Sequence, residues 1–290
     1  MLSNFDYALA FSRNIGWLTT TEQQRLRQAR VAIAGLGGVG GAHLLTLARL
    51  GIGKFYIADF DRFELQNFNR QAGATLSSLG QAKTDVLARM AQDINPELEL
   101  RVFADGVQPT NIDAFLDGVE LYVDGIDFFA LDARRMLFAA CYARGIPAVT
   151  VAPLGMGAAL LYFKPGGMSF ENYFRLEGQP RQEQFARFIA GLSPRMLQRN
   201  YLVEPSAVNF RETRGPSTDM ACQLCAGVMG TEVLKILLKR GPTRAAPWAL
   251  QYDAYRQKLA YTWRPFGNAN PLQRLLLRFI RPILQGNALG

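Results

Sequence analysis

Cysteine is scarce in this sequence, and long apolar runs are missing from it. The few cysteines cannot build the disulfide framework of a small secreted domain, so we expect a reducing, cytoplasmic location; they are Cys141, Cys222 and Cys225. No run approaches the roughly 18 uninterrupted apolar residues that a membrane span requires. Residues 7–11 form only a short apolar run between charged neighbours, and we therefore expect no signal peptide.

The composition is that of an ordinary globular protein with an excess of positive charge. The chain has 290 residues, of which 49% are hydrophobic and 19% are charged, and its net charge is +8. This balance argues against disorder. The positive charge predicts an acidic partner, but nucleotides, tRNA, an acidic protein and an anionic membrane all satisfy that condition.

Apolar segments alternate between strand and helix patterns through the first half of the chain. Strands are expected at residues 31–34, 55–58, 98–103, 120–123 and 148–151, with helices between them. This rhythm predicts an α/β fold, a doubly wound, Rossmann-like and mostly parallel sheet. Three further strands are expected at residues 158–163, 248–252 and 259–263. The link before the first of them is too short for a parallel crossover, and a hairpin-length turn joins the other two. Both features predict antiparallel C-terminal strands.

We predict a single domain over residues 1–290, with three distinct segments. Residues 1–29 are expected to form a helical arm, because Thr19 and Glu22 have the spacing of a capping box. Residues 165–221, which we expect to determine substrate specificity, form an irregular crossover. Residues 270–290 are expected to form an amphipathic tail that docks on protein, with Arg274, Arg278 and Arg281 opposite Leu272, Leu275, Leu276, Phe279 and Ile283.

A glycine-rich turn follows the first predicted strand, in the sequence Gly-Leu-Gly-Gly-Val-Gly of residues 35–40. The glycines allow the backbone to approach phosphate oxygens, with a helix N-terminus behind them; they are Gly35, Gly37, Gly38 and Gly40. Asp59 comes 19 residues after Gly40, at the end of the second strand, where a carboxylate can bind ribose hydroxyls. Up to this point a redox dinucleotide fits as well as a nucleoside triphosphate.

The residues that follow favour the triphosphate. Asp61, Asn67 and Gln71 accompany Arg70, which can form two hydrogen bonds to phosphate oxygens, and Lys83 adds a second cation. Asp127 follows a later strand and is expected at the same edge of the sheet. A single carboxylate beside a triphosphate suggests Mg²⁺, which keeps several of its waters.

The chain resembles the ThiF/MoeB/HesA family, the bacterial relatives of ubiquitin-activating enzymes, through the glycine turn, Asp59-Phe-Asp61, Asn67-x-x-Arg70-Gln71, Gly80-Gln81-x-Lys83 and Asp127. The resemblance covers about residues 10–165 and, more loosely, residues 226–238 and the final hairpin. It implies ATP-dependent adenylation of a carboxylate, release of pyrophosphate, and a homodimer. By the same resemblance Asp59 would hold the ribose, Arg70 and Lys83 the phosphates and Asp127 the metal, and Arg13 would reach the partner subunit's ATP.

Departures from the family pattern concern metal ligands and nucleophiles. Zinc-containing members carry two Cys-x-x-Cys pairs, whereas only Cys222-Gln-Leu-Cys225 occurs here, so no structural zinc is expected. Either cysteine could form a thioester just before a predicted helix at residues 226–238, but buried packing is the commoner role. His43, the only histidine, fits a packing residue better than a catalytic base.

Three functions stay open at this stage. The leading hypothesis is adenylation of the C-terminus of a ubiquitin-like or sulfur-carrier protein. The second is a tRNA threonylcarbamoyladenosine dehydratase-like enzyme, which the basic isoelectric point of about 9.6 also suits. The third, an NAD-binding oxidoreductase, would leave Arg70, Lys83 and Asp127 without a role.

Overall fold

The computed structural model describes residues 5–208 and 215–286, with side chains up to Pro282. Its strands are β1 (Arg30–Ala34), β2 (Lys54–Ala58), β3 (Glu99–Phe103), β4 (Leu121–Asp124), β5 (Ala148–Pro153), β6 (Gly157–Phe163), β7 (Trp248–Asp253) and β8 (Lys258–Trp263). Its α-helices are α1 (Tyr7–Ala10), α2 (Thr20–Gln28), α3 (Gly38–Arg49), α4 (Lys83–Ile94), α5 (Ile112–Leu116), α6 (Leu131–Ala143), α7 (Phe170–Phe174), α8 (Arg181–Leu192), α9 (Asp219–Leu238) and α10 (Pro271–Gly286).

The chain divides into two compact units. Unit 1 comprises Met1–Asp127 and Ala226–Thr243, and unit 2 comprises Phe128–Cys225 and Arg244–Gly290. The single domain that the sequence suggested stays a prediction.

Unit 1 contains four parallel strands in the order β3-β2-β1-β4. The register places Ile33 of β1 opposite Ile57 of β2 and Val123 of β4. All three side chains are fully buried, which explains why these strands read as continuous apolar runs. The capping box of Thr19 and Glu22 at the start of α2 is present, as the spacing indicated.

Unit 2 contains four antiparallel strands in the order β5-β6-β7-β8. A tight link joins β5 to β6, closed by a 3.2 Å hydrogen bond from the Leu154 amide to the Gly157 carbonyl. Helices α7 and α8 occupy part of the predicted crossover, and aromatic rings fill the core beside them: Phe138, Phe163, Phe170, Phe174 and Phe188. Parallel strands early in the chain and antiparallel strands near its end confirm the predicted fold class.

Among the described residues, one helix is long and apolar enough to cross a membrane by length and composition, α9. Half of its most apolar window is buried, and Met229 and Val233 within it are fully buried. A core helix of a globular protein has the same properties.

Candidate active site

The glycine turn at the end of β1 is packed too closely for any other residue at two of its positions. Gly35 has a φ of +82°, and a Cβ atom there would lie 2.3 Å from the Gly125 carbonyl oxygen. A Cβ atom at Gly40 would lie 1.8 Å from the Gly35 carbonyl oxygen. Helix α3 begins inside the motif, at Gly38, so the amides of its first turn have no partner within the helix. The turn therefore offers free N–H groups to an anion.

Asp59 ties the glycine turn to the end of β2. One carboxylate oxygen accepts a 2.6 Å hydrogen bond from the Leu36 amide, and the other accepts a 2.8 Å bond from the Asp61 amide. Burial raises the pKa of Asp59, while these two bonds and the nearby Lys83 act in the opposite direction. Each oxygen keeps a lone pair, so the carboxylate can also accept from a ribose hydroxyl.

Lys83 is buried at the first position of α4 and pairs with Asp61. Its Nζ lies 2.9 Å from Asp61 Oδ2, and 6% of the Lys83 side chain is exposed against 53% of the Asp61 side chain. The ammonium that we expect to bind phosphate is thus paired with a carboxylate of the protein. A phosphate could share Lys83 with Asp61, because an ammonium has three hydrogen-bond donors.

The segment after Asp61 forms a compact turn around the short 3₁₀ helix Leu65–Asn67. The buried Asn67 side chain accepts a 2.9 Å bond from the Glu64 amide, so it shapes the turn. Arg70 donates to the Gln66 carbonyl (3.0 Å) and to the Asn69 side chain (2.8 Å). Gln71 is buried beside the glycine turn, and its Oε1 atom has no hydrogen-bond partner among the described residues.

The end of β4 brings a further pair of carboxylates toward the glycine turn. Asp127 is exposed, as a metal-binding carboxylate can be. Asp124, which the sequence analysis missed, is 2% exposed, and its Oδ1 accepts a 3.2 Å bond from the Ile126 amide. Between them, Gly125 packs against Gly35 and Gly40. An aspartate-glycine pair directly after a buried strand was the signal that could have identified Asp124.

Arg13 does not lie at the glycine turn of its own chain. It lines a groove of about 610 Å³ in unit 1 together with Leu45 and Arg49, the residues of the second half of α3. The glycine turn is at the other end of that helix, about 16 Å away at 1.5 Å per residue. Contacts at the strand ends link Gly35, Gly40, Asp59, Asp61 and Lys83. Arg13 lies apart from them.

Both cysteines of the Cys-x-x-Cys pair lie inside α9, which begins at Asp219. The predicted helix start at residue 226 was wrong, and so was the placement of the cysteines before the helix. Both side chains are fully buried, and burial raises the pKa of Cys225 well above its usual value. A buried thiol with a raised pKa is a poor nucleophile.

His43 is fully buried in α3, and neither ring nitrogen has a hydrogen-bond partner among the described residues. Burial lowers its pKa to about 3. A histidine that stays neutral and has no partner fits the expected packing role.

The glycine turn and the side chains around it fit a nucleotide by their backbone shape and by their hydrogen-bond donors and acceptors. The buried Gln71 side chain lies beside the glycine turn. Lys83 pairs with Asp61, whose amide donates to Asp59. No group of three or more His, Cys, Asp or Glu residues within the described parts of the chain could hold a metal ion. The exposed carboxylate of Asp127 is compatible with Mg²⁺ held mainly by phosphates and water.

Comparisons with known proteins identify the family of the chain. The model of the ThiF family matches residues 11–274. A tRNA threonylcarbamoyladenosine dehydratase of Haemophilus influenzae is 34% identical over 143 residues, which are 49% of this chain and 54% of that protein. The Sulfur carrier protein ThiS adenylyltransferase of Escherichia coli is 29% identical over 143 residues, 49% of this chain and 56% of its own length. The chain thus spans only about half the length of these relatives.

The fold also resembles a solved structure of E. coli MccB with MccA-N7isoASN. The TM-score is 0.67, the sequence identity is 17%, and the match covers 93% of this chain and 75% of that one. At this identity the likeness concerns the fold alone.

Proposed function

The chain belongs to the ThiF family, and on that premise we propose that it is an ATP-dependent adenylyltransferase of the ubiquitin-like modifier-activating type. Its substrate is the C-terminal carboxylate of a ubiquitin-like or sulfur-carrier protein, and pyrophosphate is released. The observation that carries the proposal is the glycine turn, in which Gly35 and Gly40 pack against Gly125 and Asp59 accepts from the Leu36 amide. The buried Lys83 adds a cation beside it, paired with Asp61. A redox dinucleotide would leave Arg70 and Lys83 without a role.

In this mechanism the substrate carboxylate attacks the α-phosphate of ATP in line. The amides of the glycine turn bind the phosphates, and Asp59 accepts from the ribose. Arg70 and Lys83 stabilise the charge that shifts onto the pyrophosphate, so catalysis depends on positioning and electrostatics. Mg²⁺, when bound with ATP, supplies further charge neutralisation, and Asp127 would hold it.

Asp61 serves as the positioning residue for Lys83. A buried ammonium requires a partner of opposite charge, and the 2.9 Å contact with Asp61 supplies one. In the proposed mechanism the same contact positions the ammonium for the phosphates.

Binding of ATP·Mg by an Arg70→Ala variant tests the proposal without knowledge of the acceptor. Loss of a charge-assisted contact to phosphate should weaken binding at least about tenfold. Arg62→Ala is the matched control, because Arg62 is an exposed arginine of the same segment whose side chain donates to the Gly80 carbonyl (2.9 Å). Arg62→Ala should bind within about twofold of the wild type; equal binding by wild type and Arg70→Ala would refute the assignment of Arg70.

A second candidate keeps the nucleotide chemistry but acts on tRNA. The identity of 34% to a tRNA threonylcarbamoyladenosine dehydratase favours it. Labelled pyrophosphate exchange distinguishes the two: exchange that depends on a carrier protein ending in Gly-Gly supports the first candidate, and exchange that depends on tRNA supports the second.

We also infer a homodimer in which Arg13 acts on the partner's ATP, because Arg13 lies about a helix length from its own glycine turn. Mixing an Arg13→Ala protein with an Asp127→Asn protein should restore activity in hybrid dimers. No complementation after subunit exchange would contradict the inference.

A cytoplasmic location fits the three free cysteines, all of which are buried.

A further inference from the structure

Helix α10 is held firmly against α8 in unit 2. Gln273 donates a 2.8 Å hydrogen bond to the Ala190 carbonyl, and Arg281 makes two 2.8 Å hydrogen bonds to the Glu183 carboxylate. Leu277 and Ile280 are buried against α8. The tail therefore docks on protein, as predicted. Its contacts with α8 determine which side of α10 faces away from unit 2.

The docking covers only part of the apolar side of the helix. Three of the side chains expected to dock are exposed instead: Leu272 by 58%, Leu275 by 49% and Phe279 by 58%. Their spacing of three and four residues places them on one side of the helix, and we call them the outer strip. The helix is amphipathic as predicted, but the prediction of which face docks was wrong. The side chain of Ile283 lies outside the described residues.

Positive charge borders the outer strip, and no negative charge compensates it. Arg274 and Arg278 are exposed, and neither forms an ion pair with a described carboxylate. After Asp253 the chain contains six cations and no aspartate or glutamate. Unit 2 as a whole holds 18 of the 32 lysines and arginines but only 8 of the 24 acidic residues.

We propose that the outer strip of α10 binds an anionic lipid surface, with Leu272, Leu275 and Phe279 inserted among the acyl chains and Arg274 and Arg278 at the headgroups. A helix lying in the membrane interface combines these two features. The cytoplasmic leaflet is anionic and attracts cationic segments. The proposal concerns location and does not depend on the adenylation chemistry.

Other occupants fit the strip less well. A stable protein interface, including one with a second copy, uses about 20 residues a side, and the strip offers three apolar ones. RNA would be bound by the arginines, but the two leucines give its bases nothing on which to stack. A lipid surface satisfies the leucines and the arginines together.

Vesicle flotation of the full-length protein tests the proposal. We expect binding to vesicles of phosphatidylcholine and phosphatidylglycerol, little binding to phosphatidylcholine alone, and release at high salt. Failure of the wild type to bind the anionic vesicles at low salt, or equal binding to both kinds, would overturn the proposal.

Matched variants locate the surface. Leu275→Ser should weaken binding at least about tenfold, whereas Leu259→Ser, a control leucine on β8 with 57% exposure, should bind within about twofold of the wild type. Arg278→Gln should weaken binding, and Arg199→Gln, an exposed arginine outside α10, should not. Because all four side chains are exposed, thermal unfolding should be unchanged and will verify the fold. Equal vesicle binding by Leu275→Ser and the wild type, or a change in oligomeric state in place of lipid binding, would contradict the assignment.

Discussion

The two units differ in where their polar groups lie and in the sign of their charge. Unit 1 gathers a glycine turn, buried Asp59 and buried Lys83 at the ends of parallel strands, and it holds 16 of the 24 acidic residues. Unit 2 fills its core with phenylalanines, presents apolar strips to solvent and holds most of the cations. The candidate site thus lies in unit 1, while the excess of positive charge lies in unit 2.

The contrast shows how parallel strands gather polar groups and tight backbone contacts at one edge of a sheet. Carboxyl ends of adjacent parallel strands meet at one edge, so residue 35 packs against residue 125, and residue 59 accepts a hydrogen bond from residue 36. Antiparallel strands alternate direction and gather no such set at one end. Their contribution is a broad surface.

The largest expected effect comes from Gly40→Ala in unit 1. Its Cβ would lie 1.8 Å from the Gly35 carbonyl, and the turn would have to move. A displacement of about 1 Å at a reacting group can reduce the rate about 100-fold, and we expect at least that loss of adenylation activity. The control is Gly227→Ala in α9, where no atom lies within 4 Å of the new Cβ, and activity there should be unchanged.

An intermediate effect is expected from His43, whose protonation makes the free energy of unfolding depend on pH. Its folded-state pKa of about 3 is below the unfolded value of 6.5. Its neutral form therefore stabilises the fold fully above pH 6.5, and this contribution is lost as the pH falls toward 3. Between pH 7 and pH 5 the loss amounts to about 2 kcal/mol.

His43→Leu should remove this loss. Chemical denaturation at pH 7 and pH 5 should show a smaller decrease in the free energy of unfolding for the variant than for the wild type. Equal decreases would mean that His43 is accessible to protons in the folded protein.

The smallest effect is expected from the cysteines. Cys225→Ala should change adenylation less than about twofold, because a buried thiol with a raised pKa supplies no nucleophile. Alkylating reagents should modify the wild-type thiol only after unfolding. A thioester to Cys225 that survives denaturation without reductant would transfer part of the chemistry to unit 2 and break the contrast between the units.

Most of unit 1 could be predicted from the sequence because its signals are local. Helix α4 begins at Lys83 and ends at Ile94 as predicted, and the capping box of Thr19 marked the start of α2. The ion pair of Lys83 with Asp61 and the burial of Asp124 could not be predicted, since both depend on how strand ends meet in space.

Unit 2 was harder to predict for a related reason. Helix α9 is apolar nearly all round, so its pattern gives no boundary, and its first seven residues were missed. Periodicity identified α10 as amphipathic, but only the packing of α8 determines that Leu277 is covered and Phe279 is not.

Hydrogen–deuterium exchange of the full chain with ATP·Mg, and separately with NAD, tests the central claim that unit 1 is built for a triphosphate. ATP·Mg should protect the amides of residues 35–40 and of the turn at residues 64–71, and NAD at the same concentration should leave the second segment unprotected. Equal protection of both segments by NAD, or no protection of residues 35–40 at saturating ATP·Mg, would contradict the account.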